Sequence, residues 1–177
     1  MTKYAFQSDA RFIASVKFVL NSEAGFTDNP KDPGGATMRG IAWNFNADYL
    51  RSHFKMEVSD MPSLTADQAK QIYYDRYWVA SEADTISCLP LAYIHFDCAV
   101  NQGVGKSLQL LNKLSANPKY YEADKGKNAE LLSGLILEYI SMRLDCYSHD
   151  RNRKTFLEGW VNRMVGVINN CKELKNV

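Results

Sequence analysis

Apolar residues recur along this chain at intervals of three and four, and strict alternation is scarce. Phe12, Val16 and Val19 share one helix face, and Glu23 falls on the same line in a +4, +3, +4 rhythm. The pattern predicts a first helix over roughly 9–24, capped by Ser8 and ended by Gly25. Residues 25–40 are dense in Gly, Pro, Asp and Asn, which predicts a loop with at most a small β-hairpin. A further helical segment is expected over 42–53. Thr65-Ala66-Asp67-Gln68 is a capping box, so a helix should run from 66 to 79. Pro90 opens a helix toward Asn101, and Gly103 and Gly105 mark a break before a helix over 106–115. Residues 116–127 read as a loop. A long amphipathic helix over 128–148 should bury Leu131, Leu135, Tyr139, Met142 and Cys146, and a last helix covers 153–171. No internal repeat or low-complexity tract appears. The expected fold class is all-α, mainly helical.

With 177 residues and 46% hydrophobic content, one core is feasible and two would each be small, so 1–177 reads as a single domain. The net charge of +1 gives no general pull toward nucleic acid or anionic membranes. Cys88, Cys98, Cys146 and Cys171 are widely spaced, form no Cys-x-x-Cys pair, and read as free thiols. The three histidines show no ligand spacing, so no metal site is expected. The first residues do not form a signal-peptide pattern, because Asp9, Arg11 and Lys17 interrupt it. No run is long enough to span a bilayer.

Candidate chemistry starts at Glu23. A carboxylate on an apolar helix face is costly unless it has a partner or a task. Desolvation and a helix C-terminus both favour its protonated form. A general acid for glycosidic cleavage needs that proton; the alternative is a solvated helix-end glutamate. Asp32 follows nine residues later in Asp32-Pro33-Gly34-Gly35. It is either an ordinary turn former or a second carboxylate opposite Glu23. Asp28 has the same two readings. Thr37 offers a hydroxyl for a water or a sugar, or is an ordinary polar residue at the loop's end. Asp97 and Asn101 lie four residues apart on an apolar helix, either as a structural network or as a floor that binds sugar. Tyr73, Tyr74, Tyr77 and Trp78 form an aromatic patch suited to a core or to stacking on sugar rings.

The block Glu23-Ala24-Gly25-Phe26 with Asp32-Pro33-Gly34-Gly35-Ala36-Thr37 and Gly40-Ile41 resembles the signature of glycoside hydrolase family 108, whose members are peptidoglycan muramidases. The resemblance continues at Ile72-Tyr73-Tyr74-Asp75-Arg76-Tyr77-Trp78 and at Phe96-Asp97-Cys98-Ala99-Val100-Asn101-Gln102-Gly103. Leu108-Gln109 and the stretch from Phe156 to Arg163 resemble that family's C-terminal peptidoglycan-binding region. Ala24 stands where the family has glycine, Phe26 where it has tyrosine, and Met38-Arg39 also departs from it.

The resemblance implies a lysozyme-like fold, with 9–103 as the catalytic region and 104–177 as a helical region like a peptidoglycan-binding module. It implies hydrolysis of the β-1,4 bond between N-acetylmuramic acid and N-acetylglucosamine, with no cofactor. Glu23 matches the family's catalytic glutamate. Asp32 and Thr37 are the accompanying catalytic candidates, and Asp97, Asn101, Tyr73 and Tyr77 the substrate-binding ones. The expected partner is the peptidoglycan glycan strand, bound by a monomer. The protein is expected to be a phage-type endolysin, made in a bacterial cytoplasm and released to the periplasmic wall by a holin or another route. A lytic transglycosylase and a non-catalytic accessory protein are the alternatives.

Overall fold

The computed structural model describes residues 4–22, 25–29, 32–125 and 128–174. These are mainly helical, with one small three-stranded antiparallel sheet. The residues group into two compact units, 1–76 and 77–177.

In the first unit, a 3-10 turn (Ala5–Ser8) leads into α1 (Ala10–Ser22). The cap is Asp9 rather than Ser8: its Oδ1 accepts the N–H groups of Arg11 and Phe12, both at 3.0 Å. Phe12, Val16 and Val19 are buried, as their shared face requires. Phe12 packs edge-on against Tyr74 at 5.0 Å.

The loop that follows carries β1 (Phe26–Thr27), β2 (Thr37–Met38) and β3 (Ile41–Ala42), with β2 in the middle. Met38 pairs with Ile41, which leaves a two-residue turn. Both turn residues, Arg39 (φ 53°) and Gly40 (φ 75°), are left-handed, which matches the twist of a tight hairpin.

Helix α2 (Trp43–Phe54) starts at the end of β3. A 3-10 segment (Val58–Ser63) and α3 (Ala66–Tyr73) complete the unit. The capping box is present: Thr65 Oγ1 accepts the Gln68 N–H, and Gln68 Oε1 accepts the Thr65 N–H at 2.9 Å. The helix expected to continue to residue 79 changes instead to π geometry over Tyr74–Val79, and the two units divide within it.

In the second unit, α4 (Leu89–Gln102) is buried from Pro90 to Ala99 and forms the centre of a helical group. Three helices pack on it: α5 (Val104–Ser115), α7 (Ala129–Ser148) and α8 (Arg153–Leu174). Gly103, at φ 89°, makes the break, and α5 begins directly after it, so Gly105 is helical. The expected 116–127 loop contains a short helix, α6 (Tyr120–Asp124).

The buried stripe of α7 is Leu132, Leu135, Ile136, Tyr139, Ile140, Arg143 and Tyr147. Of the positions expected from periodicity, Leu135 and Tyr139 are buried, while Leu131, Met142 and Cys146 are half-buried. A buried arginine, which apolar periodicity counts as surface, helps to rotate the stripe.

Candidate active site

Glu23, the acid expected from the sequence, lies outside the described residues. Asp32 Oδ1 accepts the Gly34 N–H at 2.8 Å, and the Asp32 carbonyl accepts the Gly35 N–H at 3.0 Å. This is the self-bonded turn that Asp favours before Pro-Gly.

Three bonds then fasten the loop to the start of α2. The Gly34 carbonyl accepts the Asn44 N–H at 3.1 Å, the Ala36 carbonyl accepts the Trp43 N–H at 2.8 Å, and Asn44 Nδ2 donates to the Pro33 carbonyl at 3.0 Å. Two first-turn N–H groups, which a helix cannot satisfy by itself, are thereby used. Gly34 is enclosed: a Cβ there would sit 2.9 Å from Ala42 Cβ and 3.2 Å from Asp32 Oδ1. Asp32 remains solvent-exposed on this fixed loop.

Thr37 is half-buried in the central strand, opposite Thr27 on one side and Ala42 on the other. Its hydroxyl donates to the Gly35 carbonyl at 3.0 Å. Asp32 and Thr37 therefore belong to one continuous, internally bonded loop and sheet.

Tyr73 needs a correction. Its ring is 1% exposed, and its hydroxyl donates to the Arg39 carbonyl at 3.1 Å. It presents no face on which a sugar could stack; it holds the hairpin turn. Arg39 is fixed a second time by its Nε, which donates to the Leu64 carbonyl at 3.2 Å.

A polar cluster in the same unit escaped the sequence reading. The Tyr49 hydroxyl and Gln71 Nε2 both donate to Asp75 Oδ2, the latter at 2.8 Å. Arg76 pairs with Asp48 at 2.5 Å. Burial, followed by the hydrogen bond to Asp75, pushes the Tyr49 phenol above its ordinary range. The four-residue spacing of Gln71 and Asp75 was the available signal.

Asp97 also needs a correction. It is 3% exposed and lies between two guanidiniums, Arg143 Nη2 at 2.8 Å and Arg163 Nη2 at 2.9 Å. Burial alone would raise its carboxyl; the two arginines override that and hold it below the usual range. Both oxygens are engaged, so Asp97 organises the second unit and offers no acceptor to a sugar. Arg143 is completely buried and also donates to Gln102 Oε1 at 3.1 Å.

Asn101 joins this network through the Tyr147 hydroxyl, which donates to its Oδ1 at 2.5 Å. Asn101 is half-buried and lines a polar pocket of about 520 Å³ with Gln102, Tyr147 and Trp160. Tyr77, also half-buried, opens the second unit. Among the described residues no cluster of His, Cys, Asp and Glu could hold a metal ion.

Residues 16–103 match the family described as Glycosyl hydrolase 108. The match starts on the buried face of α1, contains the whole Asp32–Thr37 loop, and ends at the Gly103 break. The chain is also similar to the solved structure of Brucella abortus SagA, at 25% identity and a TM-score of 0.76, over 96% of this chain and 98% of that one. No curated protein matches it significantly.

Proposed function

From the premise that residues 16–103 are a glycosyl hydrolase 108 domain, and hence that the chain is a glycoside hydrolase, we propose that it is an N-acetylmuramidase acting on peptidoglycan. The observation that carries this reading is the Asp32–Thr37 loop. It follows Glu23 within the matched segment, and backbone and amide bonds hold it against α2 with an exposed carboxylate at its start. A cleavage loop needs this kind of fixed placement, because small displacements of a reacting group are costly in rate.

In the proposed reaction the Glu23 carboxyl gives its proton to the oxygen between N-acetylmuramic acid and N-acetylglucosamine. The bond from that oxygen to C1 of the muramic sugar breaks, and positive charge develops on the ring. N-acetylglucosamine leaves with a new 4-hydroxyl. Asp32 meets the charge either directly or through a water that adds to C1, and the proton lost by the water restores the acid. Thr37 supports the loop and offers its hydroxyl near the reacting water. Asn101 and Tyr77 are the remaining sugar-contact candidates in the second unit. The endolysin role, and release to the wall by a holin or another route, rest on the resemblance of the motif blocks alone.

The test is release of reducing ends from purified sacculi by wild type and Glu23→Gln, with mass spectrometry of the products. We expect a loss of roughly a hundredfold or more with Glu23→Gln and hydrated muramic ends from the wild type. Equal release by both proteins would remove Glu23 from the mechanism. Anhydro-muramic ends from the wild type would make the enzyme a lytic transglycosylase. Sacculus binding without any release would make it an accessory protein.

A further inference from the structure

Helix α8 is covered only along part of its length. Its buried residues are Met164, Val167, Cys171 and Leu174, all in the second half. From Arg153 to Gly159 every residue is exposed. This uncovered part is not polar. Phe156 is 51% exposed, Leu157 46%, Val161 42% and Val165 53%. Leu157, Val161 and Val165 recur every four residues and so form one continuous flank. Trp160 is half-exposed and stacks on Tyr147 at 4.8 Å, a flat aromatic pair with polar tips at the edge of the flank.

Arg151 lies in the turn just before this helix and Arg153 and Lys154 at its start; all are exposed, and none forms an ion pair with a described residue. The first turn contains no acid. Cations at a helix N-terminus add to the positive end of the dipole, an arrangement that does not favour the helix itself. Of the nearby acids, Asp145 lies 3.5 Å from His149, Asp150 accepts the Asn152 N–H at 2.7 Å, and Glu158 lies one turn after Lys154. The near-neutral charge of the whole chain hides this local concentration.

Exposed aliphatic and aromatic side chains beside unpaired Lys and Arg match a bilayer with anionic headgroups, where apolar groups enter the interface and cations meet phosphate. No described helix is long and apolar enough to cross a membrane, so the contact is peripheral. We propose that the turn before α8 and the exposed flank of that helix, from Arg151 to Val165, dock this protein on an anionic phospholipid bilayer. The cations bring the helix to the surface, and Phe156, Leu157 and Val161 enter it.

The test uses the full-length chain carrying Glu23→Gln, so that binding is read apart from hydrolysis. It is mixed with phosphatidylglycerol vesicles or with phosphatidylcholine vesicles and sedimented. Each Lys or Arg near an anionic surface strengthens binding about fivefold. Binding to phosphatidylglycerol and not to phosphatidylcholine is expected. The triple variant Arg151→Glu, Arg153→Glu, Lys154→Glu should weaken it roughly a hundredfold or more. Leu157→Ser with Val161→Ser should abolish the emission shift of Trp160 on binding, since Trp43 and Trp78 are buried. Circular dichroism of each variant confirms that α8 is intact.

Equal binding to both lipids, no binding to either, or unchanged binding by the charge variant overturns the proposal. So does selective loss of sacculus binding by these variants with no vesicle binding, which would make peptidoglycan the occupant. A dimer in sedimentation equilibrium that Val161→Ser dissolves, without vesicle binding, would make it a second copy.

Discussion

Arg143 reaches Asp97 at 2.8 Å, with the guanidinium wholly buried and the carboxylate 3% exposed. Removing one partner leaves an uncompensated charge inside the second unit. Asp97→Asn is expected to cost about 3–5 kcal/mol, read as a shift in the denaturant midpoint. Replacing Asp97, Arg143 and Arg163 together by apolar residues should recover much of this. If Asp97 bound sugar instead, Asp97→Asn would leave stability near wild type and raise KM.

His95 links the second unit to pH. Its ring is buried, with Nδ1 2.7 Å from the Tyr139 hydroxyl and Nε2 2.7 Å from the Ser81 carbonyl. This fits a neutral ring that donates to the carbonyl and accepts from the phenol. Burial, reinforced by the charge of Arg143, lowers its pKa to about 4 from the ordinary 6.5, although the Ser81 bond opposes the shift. Below 6.5 the unfolded chain takes up a proton that the folded chain refuses until near 4. The stabilisation is therefore complete above 6.5 and is lost as pH falls toward 4, with a ceiling of roughly 3 kcal/mol. Urea melts at pH 7 and pH 5 should show this loss, and His95→Gln should flatten the slope between them.

The sequence made most helices legible because their stripes and caps are local. The box at Thr65 and Gln68 formed as read, and Pro90 stands in the first turn of α4, one residue after its start. What was not legible depended on partners far along the chain. Asp9 replaced Ser8 as the first cap because residues 5–8 wind into a 3-10 turn, a choice that short polar residues do not announce. The change to π geometry at Tyr74 has no local signal in the residues. At the candidate site, the turn around Asp32 could be read from Asp-Pro-Gly-Gly. Its attachment through Asn44, eleven residues from Pro33, could not. Asp97 was legible as a polar residue in need of partners. Arg143 and Arg163 lie 46 and 66 positions away, so its structural role appeared only in three dimensions.

Gly34 tests whether the loop's close fit matters to activity. A methyl group there would meet Ala42 Cβ at 2.9 Å. Because the neighbour is attached directly to the backbone, the loop has to move away from α2. Gly34→Ala is expected to lower stability by about 1–3 kcal/mol and to reduce release of reducing ends more than tenfold. Thermal melts and sacculus digestion at a temperature where the variant is fully folded separate the two effects.

Asp32 tests charge separately from shape. Its Oδ1 makes the turn by accepting the Gly34 N–H at 2.8 Å, and an asparagine carbonyl oxygen can do the same. Asp32→Asn therefore keeps the loop and removes the negative charge. Because the side chain is exposed, stability should change by no more than about 0.5 kcal/mol. If Asp32 meets the charge that develops on the muramic ring, the rate should fall roughly a hundredfold while substrate affinity holds. Asp32→Ala would lose the turn as well, so it should lose both rate and stability. Full activity in Asp32→Asn, with loss only in Asp32→Ala, would reduce Asp32 to a turn former and leave Glu23 and water to carry the reaction.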